Sequence, residues 1–209
     1  MTDLSLEVAT HPLLDLGWFV VEYPKPLGEL ESPSWLTELF AVDAESPLTR
    51  EEEVRAAVRD LLRHGGFKPT GRSKPASEYL VKAATDEKLG SINLAVDCGN
   101  AVSLHSGLPI SVVDLGKAEA PFSVAIAPAG TSHVFNASGQ EIDVSGLLGF
   151  ADAAGPCANA VKDAQRTKTD ASTVRTLALV WGTQAAPGRT EATVAWYRDV
   201  VARSGAKVM

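Results

Sequence analysis

The residues best suited to chemistry crowd into one polar stretch, Asn159 to Thr173, with the sequence NAVKDAQRTKTDAST. Lys162, Asp163, Gln165, Arg166, Thr167, Lys168, Thr169 and Asp170 lie there within nine positions. Lysine and arginine beside threonine hydroxyls can hold a phosphate or a carboxylate, and Asp152 ends the strand that precedes them. A surface loop feeding the next strand has the same composition, so the residues alone leave both readings open. A second polar set lies upstream. Asn93, Asp97 and Asn100 fall at i, i+4 and i+7, sharing one narrow stripe of a helix. Around them Ile92, Leu94, Ala95, Val96, Cys98, Ala101 and Val102 make that helix too apolar for a surface position. Such a row either ties the helix to its neighbours by hydrogen bonds or floors a polar pocket.

Other chemistries have weaker support. His11, His64, His105 and His133 show no metal-ligand spacing, so no metal and no cofactor are expected. Cys157 could act as a nucleophile with His105 or His133, although a lone cysteine among small residues is usually packing. The chain has no G-x-S-x-G, no Walker sequence and no G-x-G-x-x-G after a strand. Trp18, Trp35, Trp181 and Trp196 are scattered and form no stacking platform.

The elements that must position these residues follow from periodicity and punctuation. Residues 17–23, GWFVVEY, predict a strand. Ser32-Pro33 predicts a short helix over 34–42, and Thr49 with Glu52 forms a capping box for a helix reaching His64. The basic loop FKPTGRSKP spans 67–75, and a helix follows over 76–82. The apolar helix ends at Gly107 and Pro109, and Ile110 to Leu115 forms a strand. Short strands at 122–127, 132–136, 141–144 and 147–151 are divided by turns, with one more at 177–181. A C-terminal helix over 190–202 presents Val194, Tyr197, Val200 and Val201 as its core stripe. This order predicts an α+β domain, a mainly antiparallel sheet packed with helices.

At 209 residues with 45% apolar content, one domain can build its core without disulfide staples. The acidic start lacks a basic signal region, no apolar run spans a bilayer, and Cys98 and Cys157 read as reduced thiols. A cytoplasmic protein without a membrane partner is expected; the oligomeric state stays open. The net charge of −7 argues against a chain-wide grip on nucleic acid, and no DNA partner is expected. Charge is uneven, however. Residues 1–49 carry −8 and 89–161 carry −5, whereas 50–88 carry +2 and 162–209 carry +4. The two basic segments permit a local phosphate contact.

The run INLAVDCGNAVSLHSGLPISVVDL, 92–115, resembles the signature of the tRNA-editing module in the bacterial phenylalanyl-tRNA synthetase beta subunit. Asn93, Val96, Asp97, Asn100, Leu104, Gly107, Pro109, Asp114 and Leu115 carry the likeness. Upstream, Arg72 to Leu80 resembles the start of freestanding members of the family. The strand ending at Asp152 and the loop 159–173 resemble that branch too, so the likeness covers roughly residues 60–185. Residues 1–59 then read as an acidic N-terminal extension packed on this core, and 186–209 as a C-terminal helix.

The resemblance implies trans-editing, hydrolysis of the ester joining a wrong amino acid to the acceptor end of a tRNA. Aminoacylation itself is not expected at this length. It further implies that Asn100 and Asp152 line the pocket, and that Asp163 pairs with the substrate ammonium or orients water. Thr167 and Thr169 would donate near the ester, while Asn159, Lys162, Arg166, Lys168 and Arg72 would bind the substrate and its phosphates. Two departures bear on specificity. The Ser111-Val112-Val113 run replaces a histidine common before the aspartate of Asp114, and the polar loop replaces a glycine-rich one. The alternative is a module that binds tRNA or an amino acid derivative without chemistry.

Overall fold

The computed structural model describes residues 4–209. Whatever the sequence implies for residues 1–3, at the head of the acidic N-terminal run, lies outside that range. The fold is centred on one long strand, β9 (Arg175–Thr183), whose residues are buried almost throughout. β2 (Leu14–Glu22) pairs antiparallel along its full length, and β3 (Ile110–Asp114) pairs antiparallel on its other side. The short β10 (Lys207–Val208) adds to β2, giving the order β10-β2-β9-β3. Period-two alternation sends Leu177, Leu179 and Trp181 to one face and Ala178 and Val180 to the other. A strand buried on both faces needs a layer on each side, and the chain supplies both.

One layer is helical. α4 (Leu94–Ser106) and α5 (Arg189–Arg203) pack with Val54 and Val58 of α2 (Glu52–Arg63) over Phe19, Val21, Ala178 and Val180. The other is a second sheet of β1 (Leu6–Val8), β4 (Phe122–Ile126), β7 (Leu148–Asp152) and β8 (Gly155–Asn159), in that order. Its inner residues Val124, Leu148 and Phe150 meet Leu177, Leu179 and Trp181. A separate hairpin, β5 (Ser132–Val134) and β6 (Glu141–Asp143), extends from it. α2 (Glu52–Arg63) bridges the layers, with Leu61 and Leu62 reaching the second core. The class is α+β. Among the described residues, every strand pair is antiparallel except β1 with β4.

α4 starts and stops for local reasons. The Asn93 side chain accepts the Val96 amide at 3.1 Å as N-cap, and Gly107 closes the helix at φ 76°, a left-handed angle favouring glycine. Asp97, fully buried, accepts from Ser32 Oγ (2.5 Å), the Ile92 amide (2.8 Å) and Ser91 Oγ. It therefore ties the helix to two neighbouring segments. α5 lies so close to the sheet that a Cβ on Gly182 would stand 1.8 Å from Thr190 Oγ1.

Several expectations need correction. Residues 6–22 supply a sheet edge and an inner strand, so the acidic extension is woven into both sheets, not laid upon them. The Thr49 capping box does not form, since α2 opens at Glu51 without a side-chain cap. The helix expected over 34–42 is one α turn, α1 (Ser34–Thr37), followed by a 3₁₀ turn. α3 (Ala76–Thr85) outruns its expected end by three residues. Among the described residues, no helix is long and apolar enough to cross a membrane.

Candidate functional site

The polar loop leaves β8 and folds back along its free edge. Asn159 makes the turn: its Oδ1 accepts the Val161 and Lys162 amides at 2.8 and 2.9 Å, and its Nδ2 donates to Lys162 O. That places Asp163 beside the strand, where its Oδ1 accepts the Asn159 amide at 3.0 Å and Ser111 Oγ at 2.8 Å. Ser111 projects from β3 and also accepts Trp181 Nε1 at 2.9 Å, so β9, β3 and the loop share one hydrogen-bonded chain. Burial pushes the Asp163 carboxyl up to about 6, against the lowering effect of these donors and the Lys168 charge. Such a carboxyl changes protonation near neutral pH. It is the one group at the loop suited to taking up a proton there.

The β5–β6 hairpin covers the loop. His133 Nε2 bonds Lys162 O at 3.0 Å, so Nε2 carries the proton and the buried Nδ1 is an acceptor without a partner among the described residues. Burial first, then the nearby Lys168 and Arg166 charges, lower the affinity of His133 for a second proton. The Lys162 ammonium sits 4.3 Å from the centre of the Phe135 ring. Lys168 donates to Phe135 O, and burial lowers its pKa although Asp163 works to raise it.

Other expected site residues are committed to the protein. Asp152, its side chain fully enclosed, accepts Arg166 Nη1 and Nη2 at 3.0 and 2.5 Å and the Glu119 and Ala154 amides. Burial works against its charge, but these donors outweigh it and hold the carboxyl below its ordinary value. Arg166 also donates to Gly155 O and Pro156 O, so this pair fastens the loop to β7 and β8. Thr167 is buried and donates to Cys157 O, while Thr169 Oγ1 accepts Asn93 Nδ2 at 3.0 Å. The α4 stripe thus meets the loop at Asn93. Asn100 lies seven residues on, roughly 10 Å along the axis, and has no side-chain hydrogen bond among the described residues.

Arg72 is exposed and has no ion-pair partner among the described residues. Its loop is joined to the site because Ala76, two residues after Lys74, donates its amide to Ala160 O at 2.8 Å. Cys157 is fully buried, and burial pushes its thiol up to about 12 despite Arg166 nearby. His105 bonds Leu39 O and His133 bonds Lys162 O, so neither ring nitrogen Nε2 serves Cys157. No three His, Cys, Asp or Glu side chains among the described residues converge as metal ligands.

Two concavities flank these groups. On the outer face of the second sheet, a groove of about 220 Å³ is lined by Ala125, Val144, Leu147, Gly149, Ala151 and Asn159, among others. Asn159 stands at its end over Gly149 and is the residue whose amide binds Asp163. A more open depression of about 580 Å³ lies at the start of α4, lined by Glu31, Ser32, Ser91, Asn93 and Asp170. Its ionisable groups are both acidic, which suits phosphate poorly. Sequence reasoning gives Phe135 no role, weighs His133 and Trp181 only for other chemistries, and marks Ser111 only as part of a departure from the resembled family. The signal available was the Ser111-Val112-Val113 run, which stands where a histidine is common shortly before the aspartate of Asp114.

No family model matches the chain, and no curated protein matches it. Among solved structures it is similar to an N-terminal fragment of the phenylalanyl-tRNA synthetase beta subunit from Pyrococcus horikoshii, with a TM-score of 0.53 and 10% identity. The match takes in 99% of this chain and 50% of that fragment, so the chain spans half the fragment's length. At that identity the likeness establishes the fold, an α+β architecture shared with the beta subunit's N-terminal part.

Proposed function

We propose that this chain is a cytoplasmic trans-editing deacylase, hydrolysing the ester of a mischarged aminoacyl-tRNA. The observation that carries the reading is Asp163, a carboxyl raised to about 6 by burial and held by Ser111 and the Asn159 amide where the polar loop leaves β8. An aminoacyl ester is already activated, so positioning a water and accepting its proton can suffice. Asp163 takes a proton from the water as its oxygen bonds to the acyl carbon. The bond from that carbon to the ribose oxygen then breaks, and the ribose oxygen recovers a proton. Ser111 and the Asn159 amide hold the carboxylate through Oδ1, keeping it oriented.

Lys162, Lys168 and Arg72 would meet the phosphates of the acceptor end, since none of them is in an ion pair among the described residues. Asp152, Arg166, Asn159 and Thr167 shape the loop, and Thr169 joins it to α4. Asn100 is left with a place in α4 and no role in the chemistry.

Incubation with a panel of mischarged tRNAs tests the reading. At least one acyl group is lost above background, and Asp163→Asn slows that loss about 100-fold or more. Binding of tRNA with no deacylation anywhere in the panel would overturn it in favour of a non-catalytic binding module.

A further inference from the structure

β2 has an edge that its own sheet leaves open. β10 pairs only with Val21 and Glu22, and the Met209 amide donates to Val20 O at 2.9 Å. Before Val20, no strand lies on that side of β2 among the described residues. Val20 O faces this side, whereas Leu13 O faces β9 and accepts the Gln184 amide. Alternation therefore turns the N–H and C=O of Leu16 and Trp18 outward, with no strand to meet them. Open edges are usually blunted by charge or by a bulge; this one carries Trp18, 38% exposed, with Leu16 on the same face. α5 runs along the edge on the other face. A Cβ on Gly17 would collide with Val194, and the Arg198 guanidinium is 5.5 Å from the Phe19 ring centre. Edge and helix enclose a hollow of about 560 Å³ whose ionisable groups are Asp15, Glu191 and Arg198. None of these three is in an ion pair among the described residues.

We infer that this edge joins the same edge of a second copy of the chain, antiparallel about a two-fold axis at Gly17. That register sets Leu16 opposite Trp18 of the second copy, and the reverse, each pair exchanging both of its N–H···O bonds. Each exposed indole gains an apolar neighbour. The register also sets Asp15 opposite Phe19 of the second copy, which brings that copy's Arg198 to Asp15. On α5, Glu191 and Arg198 lie equally far from the midpoint between Val194 and Ala195. Since Val194 stands over Gly17, the same axis pairs Glu191 with Arg198 of the second copy. Charges left unpaired in one copy are complementary between two. The helices have room. Thr190 meets both Gly17 and Gly182, so α5 lies over β2 and β9 together, inside the edge. A strand spacing of about 4.8 Å between copies then places the α5 axes about 10 Å apart, within helix-packing range. Met209 limits the pairing to the residues before Val20, so the contact is short and the dimer reversible.

Sedimentation equilibrium of the full-length protein from about 10 µM to about 500 µM should show a reversible passage from monomer to dimer. Over the same range, ¹⁵N-labelled protein should shift its Leu16 and Trp18 amides. Trp18→Lys and Arg198→Glu change exposed side chains, and each should raise the dissociation constant at least about tenfold while leaving the circular dichroism spectrum as in wild type. A protein that stays monomeric up to about 500 µM would overturn the inference and leave the edge to some other partner. So would a dimer whose amide shifts lie away from β2 and α5, or one that either folded variant fails to weaken.

Discussion

Replacing Asp163 by Asn should make the protein more stable at neutral pH while removing its activity. The carboxyl titrates at about 6 in the folded chain against an ordinary value of 3.8. Between those values the folded state holds more protons than the unfolded one, so wild-type stability falls as pH rises through that window and levels off above it. The gap of about 2 pH units corresponds to about 3 kcal/mol of charge held in an unfavourable place. Asn cannot ionise, yet its Oδ1 can still accept from Ser111 Oγ and the Asn159 amide. Urea denaturation of both proteins from about pH 4 to about pH 8 isolates the term, because other titrating groups cancel in the difference. The stability of the variant relative to wild type should climb by about 2–3 kcal/mol between about pH 4 and pH 7. A difference that stays flat within about 0.5 kcal/mol across that range would refute the raised carboxyl, and with it the proton-accepting role.

Arg166→Met should cost about 3–5 kcal/mol in denaturant, because the enclosed Asp152 carboxylate loses its guanidinium. A loss under about 1 kcal/mol would mean that the Glu119 and Ala154 amides suffice. Arg72→Ala should flatten the log–log salt dependence of tRNA binding by about one phosphate contact, and an unchanged slope would remove Arg72 from the interface. Cys157 should resist iodoacetamide in the folded protein at about pH 8, its thiol being buried and titrating near 12; rapid labelling there would reopen the thiol chemistry. Gly182→Ala should destabilise by about 1–3 kcal/mol, since its Cβ would press on Thr190 Oγ1 and Asp15 O, and an unchanged melting temperature would show that α5 can shift outward.

The fold was legible where local rules act alone. α4 could be bounded from Asn93 and Gly107 because an N-cap and a left-handed C-cap are local devices. β9 could be found because a strand buried on both faces is a continuous apolar run. β8 was not, since GPCAN has little strand propensity and is held by its pairing with β7, a tertiary fact. The fate of the N-terminal stretch was hidden for the same reason. Its acidic charge suggested an appendage, yet the apolar residues of β2 alternate between the two cores, and only the partner strands reveal that.

At the candidate site, the chain's crowding of polar residues into one loop singled out the segment but could not apportion roles within it. Eight polar side chains within nine positions look equivalent in sequence; in the fold they divide by what lies opposite. Arg166 meets a carboxylate with no other charge to balance it, so the pair is consumed in holding the loop. Asp163 meets a serine, an amide and a partly buried lysine, none of which neutralises it by direct contact, so its proton stays available. The distinction depends on Ser111, which opens the Ser111-Val112-Val113 run that stands where the resembled family commonly has a histidine. Under the proposed hydrolysis, a run without histidine leaves the protonic function to the loop carboxyl. Ser111→His should therefore shift the pH dependence of deacylation, placing a second titrating group near Asp163. An unaltered profile in a folded, active variant would show that β3 does not face the reacting ester.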